Sequence, residues 1–300
     1  MLSEEIKWKF KYIRNSIFFN YTSLVYIKII RRNEKMYKKF FLWLQILALK
    51  RKDINLSLIS KLKIVAKESI YYLYNDNNLL LKLLNDIKAS KELIKCFTDE
   101  KIKIKVEKIY NKVILNKLYI ITIDDIEYPR KVLDENINIF CYISNKRVNM
   151  NKKNTYIYYN KYYTKFARNL LKYFAKIVIE EKNNLITEFD CLNKTEVITL
   201  NNFKFNIENN SNNYIVLLDN KYIDIFKINI IDIAIIIEAR YEEKIVNFVN
   251  NLLDSNRDIF VVPSNIYRKN SYFSNYLIKQ GADIILNKND LKFILSRIIC

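Results

Sequence analysis

The chain has no histidine, one glycine and two prolines in 300 residues. Without histidine, the usual general base of serine and cysteine hydrolases is missing, and so is the commonest zinc ligand. Cys96, Cys141, Cys191 and Cys300 stand far apart with no CxxC spacing, so no metal centre is expected and they read as free thiols. The near-absence of glycine removes the turns that let backbone amides approach phosphate oxygens without a side chain in the way. Carboxylates and lysines are plentiful, but no spacing pairs them for catalysis. Neither an enzyme nor a bound cofactor is expected.

Long apolar runs are scarce too. Phe40 to Leu49, broken by Gln45, is well short of the roughly 20 residues needed to span a bilayer. The start, Met1-Leu2-Ser3-Glu4-Glu5, has no compact signal-peptide pattern, which makes a cytoplasmic location, without membrane association, the default expectation.

Lysine, asparagine, isoleucine and tyrosine fill the space, a bias that AT-rich coding would itself produce. The formal charge of +19 favours acidic partners such as nucleic acid. The competing reading is that lysine simply occupies solvated positions. Residues 1–50 are more one-sided, carrying many Lys and Arg against only Glu4, Glu5 and Glu34, and read as a basic helical extension.

Residues up to about 115 show helical spacing, as in Phe40, Trp43, Leu44 and Leu47, and again in Leu80, Leu83, Leu84 and Ile87. After Leu118 the pattern changes to short β-branched runs at 119–122, 139–143 and 155–159. An amphipathic helix follows around Leu170 to Ile179, then a short run at 185–187. Ile230 to Ile237 is apolar on both faces apart from Asp232, as expected of a strand covered by helices on each side. A helix over 245–253 and a strand over 259–262 complete a βαβ unit. The predicted fold is therefore α/β, a doubly wound, mainly parallel sheet behind a helical N-terminal region.

Several motifs resemble the DNA-processing family called DprA or Smf. Tyr128-Pro129, Leu133 and the run Asn138 to Asn145 are similar to that family's Tyr-Pro, Leu and strand ending in Gly-Asn, with Ser144 in place of the glycine. Asp232 to Ala239 resembles its strand Ser-Asp-x-x-x-V-x-E-A. From Glu238 the register continues without a gap to Arg257-Asp258-Ile259-Phe260-Val261-Val262-Pro263, with Asn256 and Ser264 standing for two glycines. Ser271, Asn275, Leu277-Ile278, Gly281-Ala282 and Asp290-Leu291 keep the spacing. The match is loose over 119–164 and close over 231–291. It implies an extended Rossmann-like domain over 119–300 and a small helical domain (SAM or helix-hairpin-helix-like) over 51–118.

The resemblance further implies a non-enzymatic protein, working as a homodimer, that binds single-stranded DNA and helps load a RecA-type recombinase. The family's phosphate-facing loop, Gly-x-Arg-x-x-Ser, is matched by Tyr159-Asn160-Lys161-Tyr162-Tyr163-Thr164. Tyr159, Asn160, Lys161, Tyr162, Thr164, Lys165 and Arg168 are thereby the DNA-binding candidates, and Glu238, Arg257, Ser264 and Asn275 a possible pocket edge. A tyrosine replacing the glycine crowds a phosphate, and Lys161 offers a point charge instead of a fork of donors. Glu243-Lys244 also puts a carboxylate where the family's later loop meets phosphate, and 188–197 is short for its second glycine loop.

Tyrosines 156 to 163 are candidates for stacking on bases. The plainer alternative is a tyrosine-rich strand whose alternate rings pack into the core. Arg257 equally suits a loop tie, Asn275 a backbone clamp, Glu238 a turn cap and Gly281 a left-handed helix end. Two other functions are left open: a scaffold that keeps the fold without a DNA site, and a nucleotide-processing enzyme of the lysine-decarboxylase-like type. Pro263-Ser264-Asn265-Ile266 lacks the latter's P-G-G-x-G-T motif.

Overall fold

The computed structural model describes residues 19–66, 72–133, 138–159, 164–187, 197–202, 213–218 and 221–296. The helical part comprises α1 (Phe19–Lys50), α2 (Leu56–Ala66), α3 (Asn77–Asp86), α4 (Lys91–Phe97) and α5 (Glu100–Leu115). Phe40 to Ala48 in α1 are buried on every side, the signature of a helix at the centre of a core rather than on its surface. Trp43 meets Phe40, Tyr74 and Phe97 edge-on, with ring centroids 6.2, 5.8 and 5.2 Å away.

This helix also holds the sheet. The Gln45 side chain donates to the Asn138 carbonyl at 3.1 Å and accepts from the Phe140 N–H at 2.6 Å, so its buried amide is satisfied at the entry to a strand. Tyr37 and Thr122 share a hydroxyl hydrogen bond of 2.7 Å, and Lys38 pairs with Asp125. One apolar core runs from Trp43 and Leu44 through to Tyr142 and Phe226. Residues 38–48 of the expected 1–50 extension are thus central packing, because the apolar residues there surround the helix instead of lying on one stripe.

Among the described residues nine strands form one sheet: β1 (Tyr119–Thr122), β2 (Cys141–Ser144), β3 (Asn154–Tyr159), β4 (Asn184–Thr187), β5 (Val197–Asn202), β6 (Asn213–Leu217), β7 (Ile233–Glu238), β8 (Asp258–Val261) and β9 (Asp283–Ile284). Their order is β1-β2-β6-β5-β4-β3-β7-β8-β9. β2 is antiparallel to both neighbours and every other pairing is parallel. The helices are α6 (Lys165–Glu180), α7 (Lys221–Ile230), α8 (Glu243–Asp254), α9 (Tyr272–Lys279) and α10 (Lys288–Ser296).

Both faces of the sheet are covered, and the strands alternate between two cores. Ile157, Tyr159, Ile233, Ile235 and Ile237 pack with α6 and α10, while Tyr156, Ala234, Ile236 and Val261 face the side of Phe248 and Phe273. This is the doubly wound α/β arrangement predicted from the two-faced apolar run.

That run begins later than expected. Ile230 ends α7, and Asp232 lies in the bend before β7. Its buried carboxylate accepts from the Asn154 N–H at 2.9 Å and pairs with Lys131, while the Asn154 amide donates to Met150 and Ile230 carbonyls at 2.9 Å. The polar residue that interrupts the apolar run is therefore the joint between helix, β3 and β7. β5, β6 and α7 are elements for which the sequence raised no expectation. The parallel neighbours β4 and β5 are joined by 188–196, shorter than the dozen or more residues of an ordinary crossover.

Candidate nucleic-acid interface

Strand order reverses between β3 and β7, and the crevice beyond the carboxyl ends of these strands is where open α/β sheets bind ligands. Tyr159 and Glu238 sit side by side at that edge, across an irregularity in the β3–β7 register. Tyr159 is 2 % exposed, in a core with Ala167, Leu171 and Phe174. Tyr156 is buried against Phe248 at 5.2 Å. Enclosed rings present no face to a base, so neither serves the expected stacking, and the alternate-ring packing of a buried strand explains both. Asn160, Lys161, Tyr162 and Tyr163 lie outside the described residues.

Thr164 caps α6. Its hydroxyl oxygen accepts the Ala167 N–H at 3.1 Å, and the hydroxyl donates to Glu238 Oε1 at 2.7 Å. The Thr164 N–H donates to Glu238 Oε2 at 3.3 Å. The carboxylate of Glu238, 1 % exposed, thus lies at the positive end of a helix, the seat an external anion takes in phosphate-binding α/β folds. At the neighbouring helix, Glu242 is the N-cap residue of α8 and Glu243 is in its first turn, both exposed. Two helix N-termini on this edge therefore carry the chain's own carboxylates. Lys165 and Arg168, on the first turn of α6, are exposed to solvent.

The remaining pocket-edge candidates have structural roles. Arg257 Nη2 donates to the Asn229 carbonyl near the end of α7, 3.1 Å away. It precedes β8, and because β8 runs parallel to β7 this places it at the amino ends of the strands, opposite the crevice. Ser264 and Asn275 clamp the loop after β8: the Ser264 N–H donates to Asn275 Oδ1 at 3.3 Å and the Asn275 amide donates back to the Ser264 carbonyl at 3.0 Å. Asn256 has φ 53° and Gly281 φ 96°, the left-handed geometry for which asparagine and glycine are suited.

The same edge carries a surface that the sequence did not single out. The start of α9 is stapled to the end of β7, with the Phe273 N–H donating to the Ala239 carbonyl at 3.0 Å and the Ala239 N–H to Ser274 Oγ at 2.7 Å. That junction seats the Tyr241 ring edge-on to Phe273 at 5.4 Å and Tyr276 at 6.0 Å. Tyr241 is 60 % exposed and Tyr267 86 %, and Tyr272 and Tyr276 are also open to solvent. Arg240, Arg268 and Lys269 are exposed on the same loops. The available signal was interleaving of tyrosine with Arg and Lys in the segments immediately after two predicted strands.

Among the described residues no group of side chains is arranged to hold a metal ion, and no helix is long and apolar enough to cross a membrane. Fold and edge together define an open, doubly wound α/β protein of Rossmann type with a helical layer at its amino end. No family model and no curated protein matches the chain. Among solved structures it is similar to DNA processing protein A of Helicobacter pylori, described for its single-stranded DNA binding mode. The identity is 13 %, the TM-score 0.49, and the alignment covers 60 % of this chain and 98 % of that one. DNA processing protein A (DprA) of Streptococcus pneumoniae is similar at 13 % identity and a TM-score of 0.48, over 74 % of this chain and 95 % of that one.

Proposed function

We propose that the chain is a divergent DprA-like protein that binds single-stranded DNA and performs no chemistry on it. The observation that carries this reading is the exposed cluster of Tyr241, Tyr272 and Tyr276 with Arg240, Arg268 and Lys269, at the strand edge where open α/β sheets receive ligands. Aromatic faces beside cations suit single strands, because every base has a face to stack and every phosphate a charge. The ungapped motif run over 231–291 contributes the loops on which this cluster stands. Homodimerisation and loading of a RecA-type recombinase belong to the same reading.

Binding in this mode relies on side chains. A carboxylate already fills the helix N-terminus at Thr164, so backbone phosphate capture is replaced by stacking and point charges. That same filled seat favours a second reading, a scaffold retaining the fold without a DNA site.

One experiment separates the two. Oligonucleotide binding is measured across a salt series, single-stranded against double-stranded, for wild type and a Tyr241→Ala/Tyr276→Ala variant. Stacking contributes about 1–3 kcal/mol per base, so the variant should bind single strands roughly 5- to 150-fold more weakly per stack lost. Absence of salt-sensitive single-strand binding by the wild type refutes the DNA reading and leaves the scaffold.

A further inference from the structure

Far from that edge, α5 presents lysine along one line. Lys101, Lys105, Lys108 and Lys112 follow one another at intervals of four, three and four residues, and all four are exposed. At 3.6 residues per turn they lie on a single stripe about 16 Å long. The two carboxylates of the helix are engaged elsewhere: Glu107 pairs with Lys39, and Glu100 with Lys103. Among the described residues no carboxylate lies within ion-pair distance of Lys101, Lys105 or Lys108. Like charges three and four residues apart repel, so the stripe works against its own helix.

We infer that this stripe is a second contact surface for the phosphate backbone of single-stranded nucleic acid, an inference that rests on the DNA-binding reading above. A line of evenly spaced cations complements a line of evenly spaced anions. An anionic membrane is a poorer match, since the main apolar face of α5, with Ile102, Val106, Ile109 and Val113, is buried in the core and only Ile104, Ile114 and Leu115 are exposed, too few for the continuous apolar face that insertion needs. α5 leads directly into β1, and six strand spacings separate β1 from β7. At about 4.8 Å each this is about 29 Å across the sheet, so only a long strand engages both the stripe and the tyrosine cluster.

The test uses the full chain with Lys101→Gln, Lys105→Gln, Lys108→Gln and Lys112→Gln combined. These positions face solvent, and unchanged circular dichroism verifies the fold. Binding of oligonucleotides of graded length is followed across salt concentrations. Each lysine that neutralises a phosphate contributes about 0.7 to the slope of log affinity against log salt, so the slope for long strands should fall by up to about 2.8. The gain in affinity from short to long strands should vanish, while short strands bind the variant as they bind wild type.

An unchanged slope and length dependence, with wild-type binding intact, overturns the stripe and spares the tyrosine cluster. Loss of all binding in the glutamine variant, with none in the Tyr241→Ala/Tyr276→Ala protein, keeps the stripe and overturns the cluster. Failure of the wild type to bind any strand overturns both. Equal binding of poly-glutamate of matched charge overturns the assignment to nucleic acid.

Discussion

Replacing Glu238 by glutamine tests how the chain has filled its ligand seat. The buried carboxylate accepts the Thr164 hydroxyl at 2.7 Å and the Thr164 N–H at 3.3 Å. Hydrogen bonds to a charged group contribute about 1.5–3 kcal/mol each, neutral ones about 0.5–1.5. Glutamine keeps one acceptor oxygen and turns an NH2 group toward a donor, so one bond weakens and the other is lost. The net cost is about 2–4 kcal/mol. With a denaturant slope of about 3 kcal/mol per molar, the urea midpoint should fall by roughly 0.7–1.3 M.

The same substitution removes a negative charge from the edge proposed to face DNA. At about 8 Å from a phosphate and an effective dielectric of about 20, the relief is about 2 kcal/mol before salt screening. Single-strand affinity at low salt should therefore rise by roughly tenfold even as stability drops. A midpoint unchanged within about 0.2 M would refute the assigned bonds. Weaker DNA binding by the folded variant would show that the carboxylate supports the site rather than occupying it.

Asp232→Ala strands the buried Asn154 N–H, while the solvent-exposed Lys131 loses its partner at little cost, and should destabilise by about 1–3 kcal/mol in chemical denaturation, with Asp232→Asn recovering part of the loss. Lys88, Lys117, Lys182 and Asn256 have φ of 55°, 54°, 58° and 53°, each just after a helix, where glycine avoids a steric cost of about 1–2 kcal/mol. Lys117→Gly should accordingly raise the thermal midpoint, and a fall would refute the assigned geometry. Glu107 has its own pH signature. Burial would raise its carboxyl, but hydrogen bonds from Lys39 and Tyr74 together hold it below its ordinary value of 4.5. A depressed carboxyl stabilises above its unfolded value and loses that contribution as pH falls through the folded one, so the stability gap between wild type and Glu107→Gln should close on acidification below pH 4.5.

Elements whose pattern is decided by their own burial were legible in the sequence. β3, β7, α6 and α8 all appear within a few residues of the expected bounds, because two buried faces demand an unbroken apolar run and one buried face demands helical spacing. α7 was hidden, since Ile228, Ile230 and Ile231 continue into β7 with no glycine or proline to mark the turn. Only the tertiary partners of Asp232 disclose that boundary. Likewise Phe40 to Ala48 carried a helical period on paper, yet its central place depends on α5, β1 and β2 closing around it.

The site was less legible for a related reason. In a chain with 23 tyrosines, tyrosine content alone does not distinguish a ring that stacks from a ring that packs. Tyr156 and Tyr159 lie within a strand and are drawn into the two cores, whereas Tyr241, Tyr267 and Tyr272 fall just beyond strand ends or at a helix start and stay outside. Position relative to the sheet edge therefore decides the role. The glycines follow the same logic. Where the missing residue supplied only a left-handed turn, Asn256 bears the geometry at modest cost. At the start of α6, Glu238 occupies the seat that an external anion takes in phosphate-binding α/β folds, and the exposed cations and rings stand on the loops after β7 and β8. A protein that binds DNA by this edge must do so from the rim of the crevice, not from its floor.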